Sequence, residues 1–269
     1  LGIYHILVSM YTTFNVIYLR FVSSDIEVGY YYTSTKLFYL ILGIFSAFTS
    51  VMLPRMSSLL AEKNIKEFNQ KINSSFQLVI SCSLPVVIFS IVFAPQIINI
   101  LSGNGYEGAI IPMRIIMPLI LVTGIAQIIA IQILMPMKKD NVVLISSIIG
   151  AFVGISANVL LVERLEANGS AIVLLLSEVA GISYSFFFVL KKKIIKLPFK
   201  YFFSHMIYSF PYIIFCLLIT YMFNSTLLKL LYSAIICVVY FVFLHLFIVK
   251  EGIVYNQIFL WFKMGIKKK

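Results

Sequence analysis

Polar and apolar positions along this chain do not alternate. They fall into long apolar runs separated by short polar segments. Eight such runs lie at about 1–22, 30–53, 74–93, 112–136, 142–162, 169–190, 204–223 and 229–249. A helix of about 20 apolar residues crosses the hydrocarbon core of a bilayer. Leu, Ile, Val and Phe are spread around each run instead of recurring at every second position. That spread predicts helices and not barrel strands, which alternate and are half as long. The expected fold class is therefore all-α membrane, a polytopic bundle of about eight transmembrane helices.

Composition agrees. The chain has 269 residues, of which 61% are hydrophobic and 12% charged, and a mean hydropathy of +1.01. A soluble domain of this length has too little interior for so many apolar side chains. The formal charge of +11 by itself would point to nucleic acid or to anionic lipid. The positions of the charges favour the membrane. Segments 54–73, 137–141, 191–203 and 250–269 hold 16 of the 21 basic residues, and all four lie on one side of an eight-span arrangement. The opposite connections hold only Arg164 and Lys229. By the positive-inside rule the basic side, and both ends of the chain, are expected in the cytoplasm. No nucleic-acid partner is needed. There is no initiator Met and no signal-peptide pattern, so the chain is expected to be the C-terminal part of something longer.

Two basic segments are also amphipathic. "PRMSSLLAEKNIKEFNQKI" and "KEGIVYNQIFLWFKMGIKKK" read as helices lying in the cytoplasmic interface. Pro85, Pro118 and Pro211 fall inside spans and predict kinks. The outer segment "APQIINILSGNGYEGAII" reads as a short, Gly-punctuated loop. Cys82, Cys216 and Cys237 read as small buried hydrophobes, with no metal-ligand spacing. His5, His205 and His245 are scattered and read as satisfied or interfacial histidines. Neither a metal site nor a cofactor is expected. No Ser/His/Asp set or paired outer carboxylates emerge, so the chain is not expected to be an enzyme.

Ionisable residues inside spans must face a cavity or a partner. Lys36 lies about 10 Å past Gly29 at the helical rise, deeper than the ~6 Å reach of its own stem, so a polar cavity is favoured for it. Arg20 and Arg114 lie near the outer surface and either join Lys36 in a lumen or snorkel to headgroups. These three are the candidate substrate-binding cations. Glu178 lies about 14 Å past Gly169 and reads either as an ion relay, for H+ or Na+, or as polar packing. Gln127, Gln132 and Asn158 read as interhelical hydrogen-bonding groups, or as polar lumen residues that contact sugar.

Three stretches carry a resemblance. "SSDIEVGYYYTSTKL" followed by "SVMLPRMSSLLAEK" is similar to the start of the second half of bacterial polysaccharide flippases, the Wzx-type O-antigen or capsule repeat-unit transporters. "LSGNGYEGAIIPMRIIMPLILVTGIAQIIAIQILMPMKKDN" resembles the next helix pair. "SANVLLVERLEANGSAIVLLLSEVAG" resembles a later pattern of Asn, Gly-small and Glu, here Asn158, Gly169 to Ala171, and Glu178. The likeness covers about residues 10–190. It implies the exporter superfamily that also holds MATE drug transporters and peptidoglycan-precursor lipid flippases, built from two six-helix bundles around a central cavity. Residues 1–190 would then be the second bundle, 191–249 two additional C-terminal helices, and 250–269 a basic interfacial tail.

The resemblance further implies transport of undecaprenyl-diphosphate-linked oligosaccharides across the bacterial inner membrane by alternating access, for O-antigen, capsule or exopolysaccharide assembly. Partners would be the lipid-linked substrate, membrane lipids and other polysaccharide-assembly membrane proteins. Lys36, Arg55 and Glu178 fall on frequent family positions, with Lys36 offsetting diphosphate or acidic-sugar charge. A cation-coupled drug antiporter of the same fold is the alternative, but it would favour acidic cavity residues. A membrane-embedded polysaccharide polymerase would want a large outer loop with catalytic side chains.

Overall fold

The computed structural model describes residues 2–195, 198–223 and 225–249, with side chains from residue 8 onward except that of residue 248. The expected basic tail, 250–269, lies outside the described residues. Among the described residues there is no strand. All eight expected spans fall in helix. These are α1 (Gly2–Val22), α2 (Asp25–Ala61), α3 (Ile65–Val92), α4 (Ala94–Ser102), α5 (Ile110–Ile116), α6 (Leu119–Gln127), α7 (Asp140–Lys191), α8 (Phe199–Met222) and α9 (Thr226–Phe243).

Five helices are long and apolar enough to cross a membrane, and one bent pair makes a sixth candidate. This is two fewer than eight: α1 is not among the six, and α7 is counted as one. The 52-residue α7 counts once, yet it holds two of the expected spans and breaks at Glu166 (φ 51°, ψ −126°). Its arms pack back on one another. A Cβ added to Gly150 would lie 3.0 Å from Ser177 O, one on Gly181 3.1 Å from Ser146 O, and one on Gly169 2.8 Å from Leu161 O. Small residues let antiparallel backbones come this close where lipid supplies no hydrophobic drive between helices. The outer turn of this hairpin is tied to the α1–α2 connection. Ala167 N donates to Glu27 Oε2 at 3.2 Å, and Ser23 Oγ to Glu166 Oε1 at 3.0 Å.

The bent pair is α5 with α6, turned by 40° at the break before Leu119. Pro118 sits in the break, where its missing N–H removes a helical hydrogen bond. The segment Ile128–Leu134 that follows α6 is π-helical and carries Gln132. The expected outer loop is more ordered than its glycines indicated. It contains α4 and a single 3-10 turn at Glu107–Ala109. Gly103 (φ 78°) and Gly105 (φ 91°) supply the left-handed backbone between them.

The separate interfacial helix expected over 54–72 is not formed. Residues 54–61 extend α2, and 65–72 begin α3. Their apolar positions Met56, Leu59, Phe68 and Ile72 are buried in the core between the two helices. The amphipathic pattern belongs to the adjoining ends of two long helices. Asn64 caps α3 by accepting from Glu67 N at 3.2 Å.

Three helices on the basic side end alike. Lys63, Lys138 and Lys193 each adopt left-handed backbone, φ 50–57°. The residue after each donates its N–H back to Leu59 O, Leu134 O and Val189 O at 2.9, 2.8 and 3.2 Å. This turn usually uses glycine. Here lysine fills it and puts its charge at a helix C-terminus, where the dipole favours a cation.

Candidate functional site

Helix α2 has two unlike faces. Tyr31, Thr33, Ser34, Thr35, Phe38, Phe45 and Thr49 are buried. Tyr32, Lys36, Tyr39, Gly43, Ala47 and Ser50, at helical spacing, are exposed. Of the side chains on this stripe, Tyr32, Lys36, Tyr39 and Ser50 end in polar atoms, and Gly43 and Ala47 are small. Lys36 is steadied from α4: its Nζ donates to Ser102 Oγ at 3.4 Å, and Ser102 also meets Thr33 Oγ1 at 3.1 Å.

The other two expected cations sit at the rim. Arg20 Nε is 3.1 Å from Asp25 Oδ1, with side chains 72% and 79% exposed. A pair so open to solvent contributes about 0–1 kcal/mol. The short α1–α2 turn brings Asp25 back to Arg20. Arg114 is exposed, and its Nε donates to Ile91 O at 3.1 Å, which caps the end of α3. Among the described residues, no hydrogen bond joins Arg20 or Arg114 to Lys36. Arg55, carried over with them, pairs with Glu67 at 2.6 Å across the α2–α3 turn.

Glu178 sits in a cleft of about 50 Å³ between α1, the end of α6 and both arms of α7. Tyr11 Oη donates to its Oε1 at 2.6 Å. Ser146, Ser147, Ser177 and Ser185 line the same cleft. Each serine has already given its proton to a carbonyl of its own helix: Val142, Leu144, Val173 and Ile182. What these hydroxyls offer the cleft is lone pairs. The lining is thus rich in acceptors and suits a species that brings positive charge.

The polar amides divide. Gln127 Oε1 accepts from Thr49 at 3.3 Å, which is interhelical bonding of the expected kind. Gln132 is fully buried in the π-helical segment, with neither side-chain atom partnered. Asn158 Nδ2 bonds Gly154 O at 2.9 Å, and its Oδ1 is unpartnered. Sequence reasoning passed over Asn15. Its Nδ2 joins Tyr31 Oη at 3.1 Å and Ser170 O at 3.0 Å, linking α1, α2 and the second arm of α7. Asn15 Oδ1 and Ser170 Oγ are also buried without partners. An Asn in an apolar run was the available signal. His205 and His245 were likewise read as scattered, yet their rings meet at 5.7 Å between α8 and α9.

Comparison with known proteins places this architecture. The family model described as lipid II flippase MurJ matches residues 6–243. A search of curated proteins finds no match. Among solved structures, "Lipid II flippase MurJ, inward closed conformation" superposes with a TM-score of 0.72 at 16% identity, over 87% of this chain and 50% of that one. At that identity the likeness speaks for the fold. The chain spans about half the length of that structure. The first expectation was the repeat-unit branch of the superfamily, and the match falls on the peptidoglycan-precursor branch. A family model covering nearly all of a multi-pass helical bundle is decisive at that level: the chain belongs to the lipid II flippase MurJ family.

Proposed function

We propose that this chain forms one half of a flippase that carries an undecaprenyl-diphosphate-linked oligosaccharide across the bacterial cytoplasmic membrane by alternating access. The observation that carries this reading is the exposed α2 stripe with Lys36 among Tyr32, Tyr39, Gly43, Ala47 and Ser50. A lysine at that depth facing lipid is costly, whereas in a hydrated lumen it offsets a diphosphate. The stripe carries no acid, which disfavours a carrier of cationic drugs.

The family favours the lipid II precursor as cargo. O-antigen, capsule or exopolysaccharide repeat units share its polyprenyl-diphosphate chemistry and stay as the second cargo class. The acceptor-rich cleft at Glu178 is the ion-coupling site in this reading, taking H+ or Na+. The lysine-capped turns at Lys63, Lys138 and Lys193 face the cytoplasm.

Reconstitution of the full-length protein in vesicles tests cargo choice. Lipid II is supplied in one arm and a polyprenyl-diphosphate repeat unit in the other. Protein-dependent transfer of lipid II between leaflets supports the first cargo, and transfer of the repeat unit alone supports the second. Transfer of neither, by protein shown to be folded, refutes the flippase reading.

A further inference from the structure

Away from the Glu178 cleft, a second, mostly apolar chamber with a few buried polar groups lies between α3, α8 and α9. His205 of α8 and His245, just past α9, are 4% and 1% exposed. Each ring is oriented from its own helix. His205 Nδ1 lies 3.0 Å from Tyr201 O, and His245 Nδ1 lies 2.9 Å from Phe241 O. A carbonyl only accepts, so each Nδ1 carries the proton and each Nε2 presents a lone pair. Ser81 of α3 serves one of these. Its Oγ donates to His245 Nε2 at 3.2 Å and accepts from Tyr201 Oη at 2.8 Å.

His205 Nε2 is buried with no partner. Tyr212 Oη is buried beside the Cys216 and Cys237 thiols, weak groups that leave its proton without a strong acceptor. A third group is freed in the backbone of α3. Pro85, inside α3, has no N–H to give to the Ser81 carbonyl four residues back. Ser81, Pro85, His205 and Tyr212 line one cavity of about 20 Å³.

We propose that this chamber is a binding site for a single water molecule that fastens α8 to α3. The water donates to His205 Nε2 and to the Ser81 carbonyl, and it accepts from the Tyr212 hydroxyl. Two acceptors and one donor are the complement of one water, and buried waters make about three hydrogen bonds in spaces above roughly 10–15 Å³. A divalent metal fits less well, because the lining holds no carboxylate to offset its charge. The bridge has weight here because lipid gives α8 and α3 no hydrophobic reason to associate. The proposal is independent of the cargo and of the Lys36 stripe.

Thermal unfolding of the full-length protein in detergent tests it, using Tyr212→Phe, His205→Leu and the double variant. With the water in place, Tyr212→Phe lowers Tm by about 2–4 °C, the shift that corresponds to one lost hydrogen bond. The double variant then loses less than the two single losses together, because both act through one water. A dry chamber gives the opposite sign: Tyr212→Phe removes an unsatisfied buried hydroxyl, and Tm holds or rises. That result, strict additivity, or a stoichiometric transition metal in the purified protein overturns the proposal. A density map at water-resolving resolution decides separately. A peak at about 2.7–3.2 Å from both His205 Nε2 and Tyr212 Oη supports it, and a chamber without one refutes it.

Discussion

The Tyr11 hydroxyl donates a 2.6 Å hydrogen bond to Glu178 Oε1, joining the first helix to the second arm of α7 across 167 positions of sequence. Glu178 is thereby held in a cleft whose serines offer only lone pairs. A carboxylate so placed needs a positive charge, and a transported or coupling ion is one source of it.

If Glu178 couples an ion, Glu178→Gln leaves the full-length protein inserted and folded but flattens the dependence of transport on pH or Na+. Tyr11→Phe removes a hydrogen bond of the kind worth about 1.5–3 kcal/mol to a charged acceptor. It is expected to shift that dependence by roughly ten- to a hundredfold in ion concentration without abolishing transport. Transport measured across pH and across Na+ concentration separates the two ions. Unchanged dependence in both variants, at normal expression, assigns Glu178 to helix packing.

The left-handed turns give a stability prediction. Lys63, Lys138 and Lys193 hold a backbone conformation that costs a residue with a Cβ about 1 kcal/mol or more. Lys138→Gly is expected to raise Tm by about 1–3 °C, because relief of the left-handed strain outweighs the greater chain entropy glycine brings to the unfolded state. Lys138→Ala keeps the Cβ and is expected to bring no such gain. Equal Tm for the Gly and Ala variants would show that the turn is not strained.

Topology is accessible to labelling. With single cysteines in a cysteine-free background, Asn104→Cys and Arg164→Cys are expected to react with an impermeant reagent added outside intact cells. Lys63→Cys and Lys192→Cys are expected to react only after permeabilisation. Lys63, Asn104 and Lys192 lie in turns, Arg164 lies two residues before the break in α7, and all four are exposed. The reverse pattern would invert the chain in the membrane.

Much of the bundle was legible because a membrane span is written locally, as twenty apolar residues in a row. The two arms of α7 were separable since "ERLEAN" interrupts that run. What misled was amphipathicity. Met56, Leu59, Phe68 and Ile72 have the spacing of an interfacial helix, but they are buried because α2 and α3 run on through these positions and pack into one core. Charge in a span singled out Lys36 and Glu178 as candidates, whereas the pairing of Arg20 with Asp25, five residues on across a turn, was not read from the sequence. Pairings between distant helices left no local trace. Nothing near His205 announces His245 or Ser81, and nothing near Asn15 announces Ser170.

The central claim is that Lys36 faces a hydrated path and holds an anionic lipid-linked substrate. Its most direct test is transport of lipid II by Lys36→Arg, Lys36→Ala and Lys36→Glu in the full-length protein, normalised to the amount in the membrane. Loss of a charge-assisted contact of about 1.5–3 kcal/mol corresponds to a fall of roughly ten- to a hundredfold at limiting substrate. The expected order is near-normal transport for the Arg variant, that fall for Ala, and a larger one for Glu. Transport by the Ala and Glu variants equal to that of the unmodified protein would contradict the claim and leave Lys36 as a side chain that merely reaches Ser102.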